Sequence, residues 1–182
     1  MKRTLRNFAL ITISAAAFST ITVLAADQDL QSQSQQAITS FQAMDSSMKT
    51  MMDNAAGYAV FPDVGKGGFI VGGARGKGLL YEKGVATGQA TMTQASVGAQ
   101  AGGQSFAEII LFQTPQAVSD FKTGKFEMSA EVSAVAVKEG ASKAAEYKDG
   151  VAVFTMPKKG LMVSASVGGQ KFKYEPLQPT GR

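Results

Sequence analysis

The chain has no histidine, no cysteine and no tryptophan among its 182 residues. Without His or Cys it cannot assemble a Ser-His-Asp triad, a thiolate nucleophile, or the usual zinc and haem sites. Its 14 acidic residues are scattered, and spacing singles out no carboxylate pair. The expectation is therefore a binding protein rather than an enzyme, with no cofactor and no metal. Zero Cys also excludes a disulfide framework and a lipid-modified cysteine behind the N-terminal apolar run. With Trp absent, Phe, Met, Val and Ile must fill the interior.

The first residues, MKRTLRNFALITISAAAFSTITVLAADQ, combine a basic start at Lys2, Arg3 and Arg6 with an uncharged run from Phe8 to Ala25. That layout predicts a secretory signal peptide over residues 1–26, cut after Ala25 or Ala26. The alternative is a retained anchor, although Thr12, Ser14, Ser19, Thr20 and Thr22 dilute the run. Removing the leader takes three of the 18 basic residues and none of the acids, so the net charge falls from +4 to +1. Such a chain has no basic excess for nucleic acid, and none is expected as a partner. The expected location is outside the cytoplasm, in the periplasm, at the outer membrane or secreted. What remains has the size of one domain with one substantial core.

Residues 27–54 read as an amphipathic helical segment. Phe41, Met44, Met48, Met51 and Met52 recur at steps of three and four, with Gln, Ser, Asp and Lys elsewhere. The stripe either packs on the domain's own sheet or offers an adaptable apolar face to acyl chains or a protein partner. From residue 55 to 176 the composition turns to glycine-punctuated runs rich in Val, Phe and Tyr. Strands are predicted near 58–61, 68–73, 78–81, 86–93, 96–102, 106–112, 127–137, 151–156, 161–167 and 171–174. A Thr114 cap and Pro115 open one short helix near 115–122, stopped by Gly124. Residues 138–149 read as a loop or short polar turn, and 177–182 as a tail. The fold class expected is α+β, mainly β: a curled or barrel-like antiparallel sheet with the N-terminal helix against it.

An internal echo joins Gly57-Tyr-Ala-Val-Phe61 and Gly150-Val-Ala-Val-Phe154, each followed after four residues by Lys-Gly. A second echo joins 95–100 and 165–170. If the two Lys-Gly turns share a rim, Lys66, Lys158 and Lys159 converge there. The stretch Gly65-Lys-Gly-Gly-Phe-Ile-Val-Gly-Gly-Ala-Arg-Gly-Lys-Gly78 suggests a phosphate loop but fails by position. Val71 stands where a Walker loop needs Gly, and Ile70 where a dinucleotide fingerprint needs it. As a strand, it puts Arg75 and Lys77 on one face, roughly 7 Å apart. Ser46-Ser-Met-Lys49 and Lys122-Thr-Gly124 mimic penicillin-interacting enzymes, but the chain lacks the third element and the length of such a domain.

Gly57-Tyr-Ala-Val-Phe-Pro62, Gly65-Lys-Gly-Gly-Phe69, Gly72-Gly-Ala-Arg-Gly-Lys-Gly78 and Ser96-Val-Gly-Ala-Gln-Ala-Gly-Gly-Gln-Ser-Phe106 occur in order, with Asp149-Gly-Val-Ala-Val-Phe154 further on. In these blocks the chain resembles the SYLF domain over about residues 30–175. The resemblance implies a lipid-binding module whose eukaryotic members bind phosphoinositides and, in some cases, actin filaments. It carries over Lys66, Arg75 and Lys77 as headgroup-binding positions and the N-terminal helix as a membrane-contacting segment. Two departures are visible: no stretch of these 182 residues reads as a partner domain, and Val135-Ala-Val-Lys-Glu139 stands where many relatives have Gly-Pro-x-Gly-Arg. The expectation is thus binding of anionic phospholipid or membrane surface through Lys66, Arg75, Lys77, Lys158 and Lys159. A protein-partner adaptor or envelope structural protein is the alternative, and a small outer-membrane barrel a further one.

Overall fold

The computed structural model describes residues 16–67, 71–97, 104–128, 132–159, 167 and 169–177. In chain order the elements are α1 (Ala16–Met44), α2 (Ser47–Asn54), β1 (Gly57–Gly67), β2 (Val71–Glu82), β3 (Val85–Val97), β4 (Gln104–Phe112), α3 (Pro115–Lys122), β5 (Ala134–Ala136), β6 (Val151–Lys159) and β7 (Gln170–Pro176). The strands form one sheet in the order β5-β6-β4-β1-β2-β3-β7. All neighbours are antiparallel except β5 and β6, which are parallel. The α+β, mainly β class therefore holds, and of the two expected forms the sheet is the curled one, not closed into a barrel; it is mixed rather than purely antiparallel because β5 runs parallel to β6.

The curl is strong. Phe61 on β1 and Phe172 on β7 have ring centroids 5.8 Å apart, although three strand intervals, about 14 Å on a flat sheet, lie between them. Gln170 Nε2 on β7 donates to Glu108 Oε2 on β4 at 3.0 Å, across four intervals. Glycines permit this bending. A Cβ at Gly78 would run into the Val60 carbonyl and the Phe61 ring, and one at Gly88 into the Tyr174 ring.

Each face of the curled sheet buries apolar side chains, so two apolar clusters form. Inside the curve, Phe61, Leu80, Met92, Phe106, Ile110 and Phe172 pack with Val118 and Phe121 of α3. Thr114 caps α3 by accepting from Ala117 N at 3.2 Å, as its sequence predicts. Lys122 at its end pairs with Glu82 and lies 5.9 Å over the Tyr174 ring. On the outer face, Ile38, Phe41, Met48 and Met52 pack on Val60, Leu79, Ile109, Leu111 and Phe154.

Several expected strands change extent for the same reason. The runs at 78–81 and 86–93 belong to long strands β2 and β3, since glycine thins a curled strand without ending it. Lys83 and Gly84, both at positive φ, make the turn between them. Among the described residues of the strand expected over 127–137, Ala134–Ala136 form a strand and Glu127 and Ser133 stand at bridge positions. Residues 68–70, 98–102, 129–131 and 161–166 of the expected strands lie outside the described residues, as do residues 1–15 of the expected leader. Helix α1 runs back to Ala16, across the expected cleavage point. No helix among the described residues is long and apolar enough to cross a membrane.

The helical arm is pinned by one buried carboxylate. Asp45, in the break between α1 and α2, accepts from Ser142 N at 2.7 Å, Ser142 Oγ at 2.8 Å, Ser47 N at 3.0 Å and Ser47 Oγ at 2.6 Å. Ser47 and Ser142 also share a short hydroxyl–hydroxyl contact. Burial pushes this carboxyl up, but the bonds from Ser47 and Ser142 outweigh it and hold it well below the usual carboxylate range. Replacing Asp45 by Ala should lower the unfolding free energy by about 2–4 kcal/mol in urea titrations, since the Ser142 N–H is left without its acceptor. Because the folded pKa is depressed, the Asp45 contribution is complete above the unfolded value of about 3.9 and is lost as pH falls below it. The Asp45→Asn variant should accordingly lack this part of the acid destabilisation.

Candidate functional site

Helix α1 and the α2 stripe cover only part of the outer face. The rest carries cations at regular register positions. Arg75 and Lys77 are exposed on β2, on the same side as buried Leu79. Arg75 pairs with Thr93 and Lys77 with Thr91 on β3, and these pair with Lys171 and Lys173 on β7. The four cations thus mark the corners of a patch about 7 Å along the strands and about 10 Å across them. Lys171 and Lys173 are exposed, while Gln170 before them and Phe172 between them are buried.

Acids temper this patch at its edge. Lys171 pairs with Glu127 at 3.2 Å and Lys173 with Glu175 at 2.6 Å, all of them exposed. The Lys173 ammonium holds the Glu175 carboxyl below its usual range, with Lys77 adding to the effect. Exposed pairs of this kind bind weakly and exchange readily with a ligand's charges.

The other expected headgroup positions have different surroundings. Lys158 Nζ donates to the Pro62 carbonyl at 3.1 Å and pairs with Asp63 at 3.3 Å. Pro62 and Asp63 form a bulge in β1, where the register slips by one residue against both neighbours. Proline has no N–H for a central ladder, so a bulge accommodates it, and Lys158 occupies its carbonyl. Lys66 pairs with Ala74, and Gly65 with Arg75, so Lys66 and Arg75 sit at positions of opposite parity. Lys159 pairs with Ser105, which in turn pairs with Gly65. Lys66 and Lys159 therefore both stand at one end of the sheet, two strands apart. The side chains of Lys66 and Lys159 lie outside the described part of the structure.

The apolar face expected on the helices is mostly inside. Phe41, Met48 and Met52 are buried against the sheet, Met51 is half-buried, and only Met44 is exposed. The penicillin-enzyme mimics do not meet in a site: Lys49 pairs with Asp53 at 2.5 Å, and Lys122 with Glu82. Among the described residues no group of three or more acids could hold a metal ion.

Sequence reasoning passed over Lys171 and Lys173. The signal was present in the alternation Gln170-Lys-Phe-Lys-Tyr174, but only the order β2-β3-β7 puts them beside Arg75 and Lys77. Because all four side chains point to solvent, changing Arg75, Lys77, Lys171 and Lys173 together to Gln should leave the melting temperature within about 2 °C of the parent by calorimetry.

Residues 93–175 match the model of the Ysc84 family, described as "Las17-binding protein actin regulator". Beta cell expansion factor A of Aeromonas veronii is 34% identical over 129 residues, covering 69% of this chain and 48% of that protein. The chain thus spans about half the length of the curated relative it matches. The family match takes in β4, α3, β5, β6 and β7 with Lys158, Lys159, Lys171 and Lys173, whereas Arg75 and Lys77 precede it.

Proposed function

From the premise that this chain belongs to the SYLF (Ysc84) family, we propose that it is an exported, non-enzymatic domain that binds anionic phospholipid surfaces. The family is one of binding domains, to which lipid- or membrane-binding and actin-regulator roles belong. The observation that carries the finer reading is the four-cation patch of Arg75, Lys77, Lys171 and Lys173 on the outer face that α1 leaves uncovered. A shallow, exposed grid of cations suits phosphates arrayed on a surface better than one enclosed small molecule. Phosphatidylglycerol and cardiolipin are the anionic lipids that a periplasmic domain would meet.

Co-sedimentation with phosphatidylcholine vesicles, with and without phosphatidylglycerol, tests this. Binding should require the anionic lipid and fall steeply between about 0.05 and 0.5 M salt. The four-Gln variant should bind about ten-fold or more weakly. Equal binding to neutral vesicles, or an unweakened variant, would count against the patch. Retained binding to a protein partner after lipid removal would favour the adaptor reading, which the family's description as an actin regulator supports. Export has its own check: the intact mass of the chain in a periplasmic extract should correspond to a start at Ala26 or Asp27. A full-length chain held in the membrane would instead identify the N-terminal run as an anchor.

A further inference from the structure

The bulge that places Lys158 also opens a cleft. Where the middle of α1 lies over β1 and β2, beside Gln89 of β3, a depression of about 280 Å³ is lined by Asp29, Leu30, Pro62, Asp63, Lys77 and Gln89. Leu30 and Pro62 are buried and form an apolar floor, while Asp29, Asp63 and Lys77 are exposed around the rim. The volume is below that of drug-sized sites and suits a small headgroup.

The charges around this cleft are opposite but do not neutralise one another. Asp63 and Lys77 are direct register partners, yet the Asp63 carboxylate is paired with Lys158. Among the described residues Lys77 forms no ion pair, although Glu175 lies near enough to feel its charge. Asp29 accepts from Gln33 Nε2 at 2.7 Å, and no described cation lies within ion-pair distance of it. A carboxylate and an ammonium thus face one apolar-floored cleft from opposite walls, α1 on one side and β2 on the other. A ligand carrying both signs a few ångströms apart satisfies the two together, whereas a simple anion would meet Asp29 as a repulsive neighbour.

We infer that this cleft binds a phosphoethanolamine group, with the primary ammonium donating to Asp29 and the phosphate accepting from Lys77. The choice of phosphate over carboxylate rests on the phospholipid reading above. The ammonium must be primary, because a choline headgroup has no N–H to donate to the carboxylate. Two sources share this chemistry: the headgroup of phosphatidylethanolamine in a bilayer and its soluble glycerol ester.

The full-length mature chain, isotope-labelled, separates them. In amide spectra, millimolar glycerophosphoethanolamine should shift Leu30 and Gln89, and glycerophosphocholine should shift them about 3–10-fold less at equal concentration. The Asp29→Asn variant, exposed and conservative in shape, should lose that preference while its binding to phosphatidylglycerol vesicles is kept. Replacing phosphatidylcholine by phosphatidylethanolamine at constant phosphatidylglycerol should strengthen vesicle binding of the parent and leave Asp29→Asn unchanged. Equal shifts from the two esters, the same pattern from inorganic phosphate alone, or an unaltered preference in Asp29→Asn would overturn the cleft; intact phosphatidylglycerol binding would then leave the four-cation patch standing. Ester shifts without any vesicle binding would keep the cleft as a site for the soluble ester and sink the surface reading. Shifts by glycine equal to those by the phosphate ester would overturn the assignment of Lys77 to phosphate.

Discussion

Gln170 reaches Glu108 across the concave face because the sheet has bent through four strand intervals to bring β7 over β4. Both residues are buried, in an interior otherwise filled by Phe61, Phe106, Phe172 and Met92. A bond between polar groups in such surroundings holds the curl in one geometry, since sliding either strand would bury both groups without each other. The curl then dictates the remaining packing. It makes the inner face narrow enough for one short helix, α3, to help close it, and gives the outer face a convex surface on which α1 and α2 lie.

Burial of both faces also explains which parts of the sequence were legible. Helical spacing from Phe41 to Met52 and the Thr114-Pro115 start are local signals; the second element stands where its cap puts it, whereas the first is split at Asp45 into α1 and α2 and leaves Met44 exposed. The strands inside the glycine-rich segments were harder to read, because Gly76, Gly78 and Gly88 face close neighbours rather than turns. The echo between β1 and β6 shows how little parity the motif itself carries. Phe61 points into the curve and Phe154 toward the helices, although both belong to the same Gly-x-Ala-Val-Phe pattern. Each flanks β4, and with apolar groups needed on both sides, either orientation of the pattern is buried. Arg75 and Lys77 sharing a face followed from period two alone. Their meeting with Lys171 and Lys173 did not, because it depends on β7 adding beyond β3.

Lys171 and Lys173 stand on an edge strand, and that gives them a second physical role. Unpaired edges invite further strand addition, and alternating lysines discourage it. Near residues 169–171 the edge is also covered by the segment at 127–128, through Met128 N to Gln170 O at 3.3 Å and Gly169 N to Met128 O at 2.9 Å. Protection alone would not require cations on β2, which lies two strands in from that edge. Arg75 and Lys77 have no edge to guard, so the two-by-two arrangement is better explained by an anionic counterpart than by edge protection.

Magnitudes decide how the helices take part on this reading. Ile38, Phe41, Met48 and Met52 are each at most 5% exposed. Burying such side chains contributes about 1.5–3 kcal/mol apiece, so freeing the four for lipid would cost about 6–12 kcal/mol before the Asp45 bonds are counted. That approaches the whole stability of an ordinary domain, about 5–15 kcal/mol. A handful of surface cations, each contributing about 1 kcal/mol near an anionic membrane, does not offset it. On the phospholipid reading the domain would therefore meet a charged surface with its helices docked, and the Met-rich stripe serves the core that holds the cations in register.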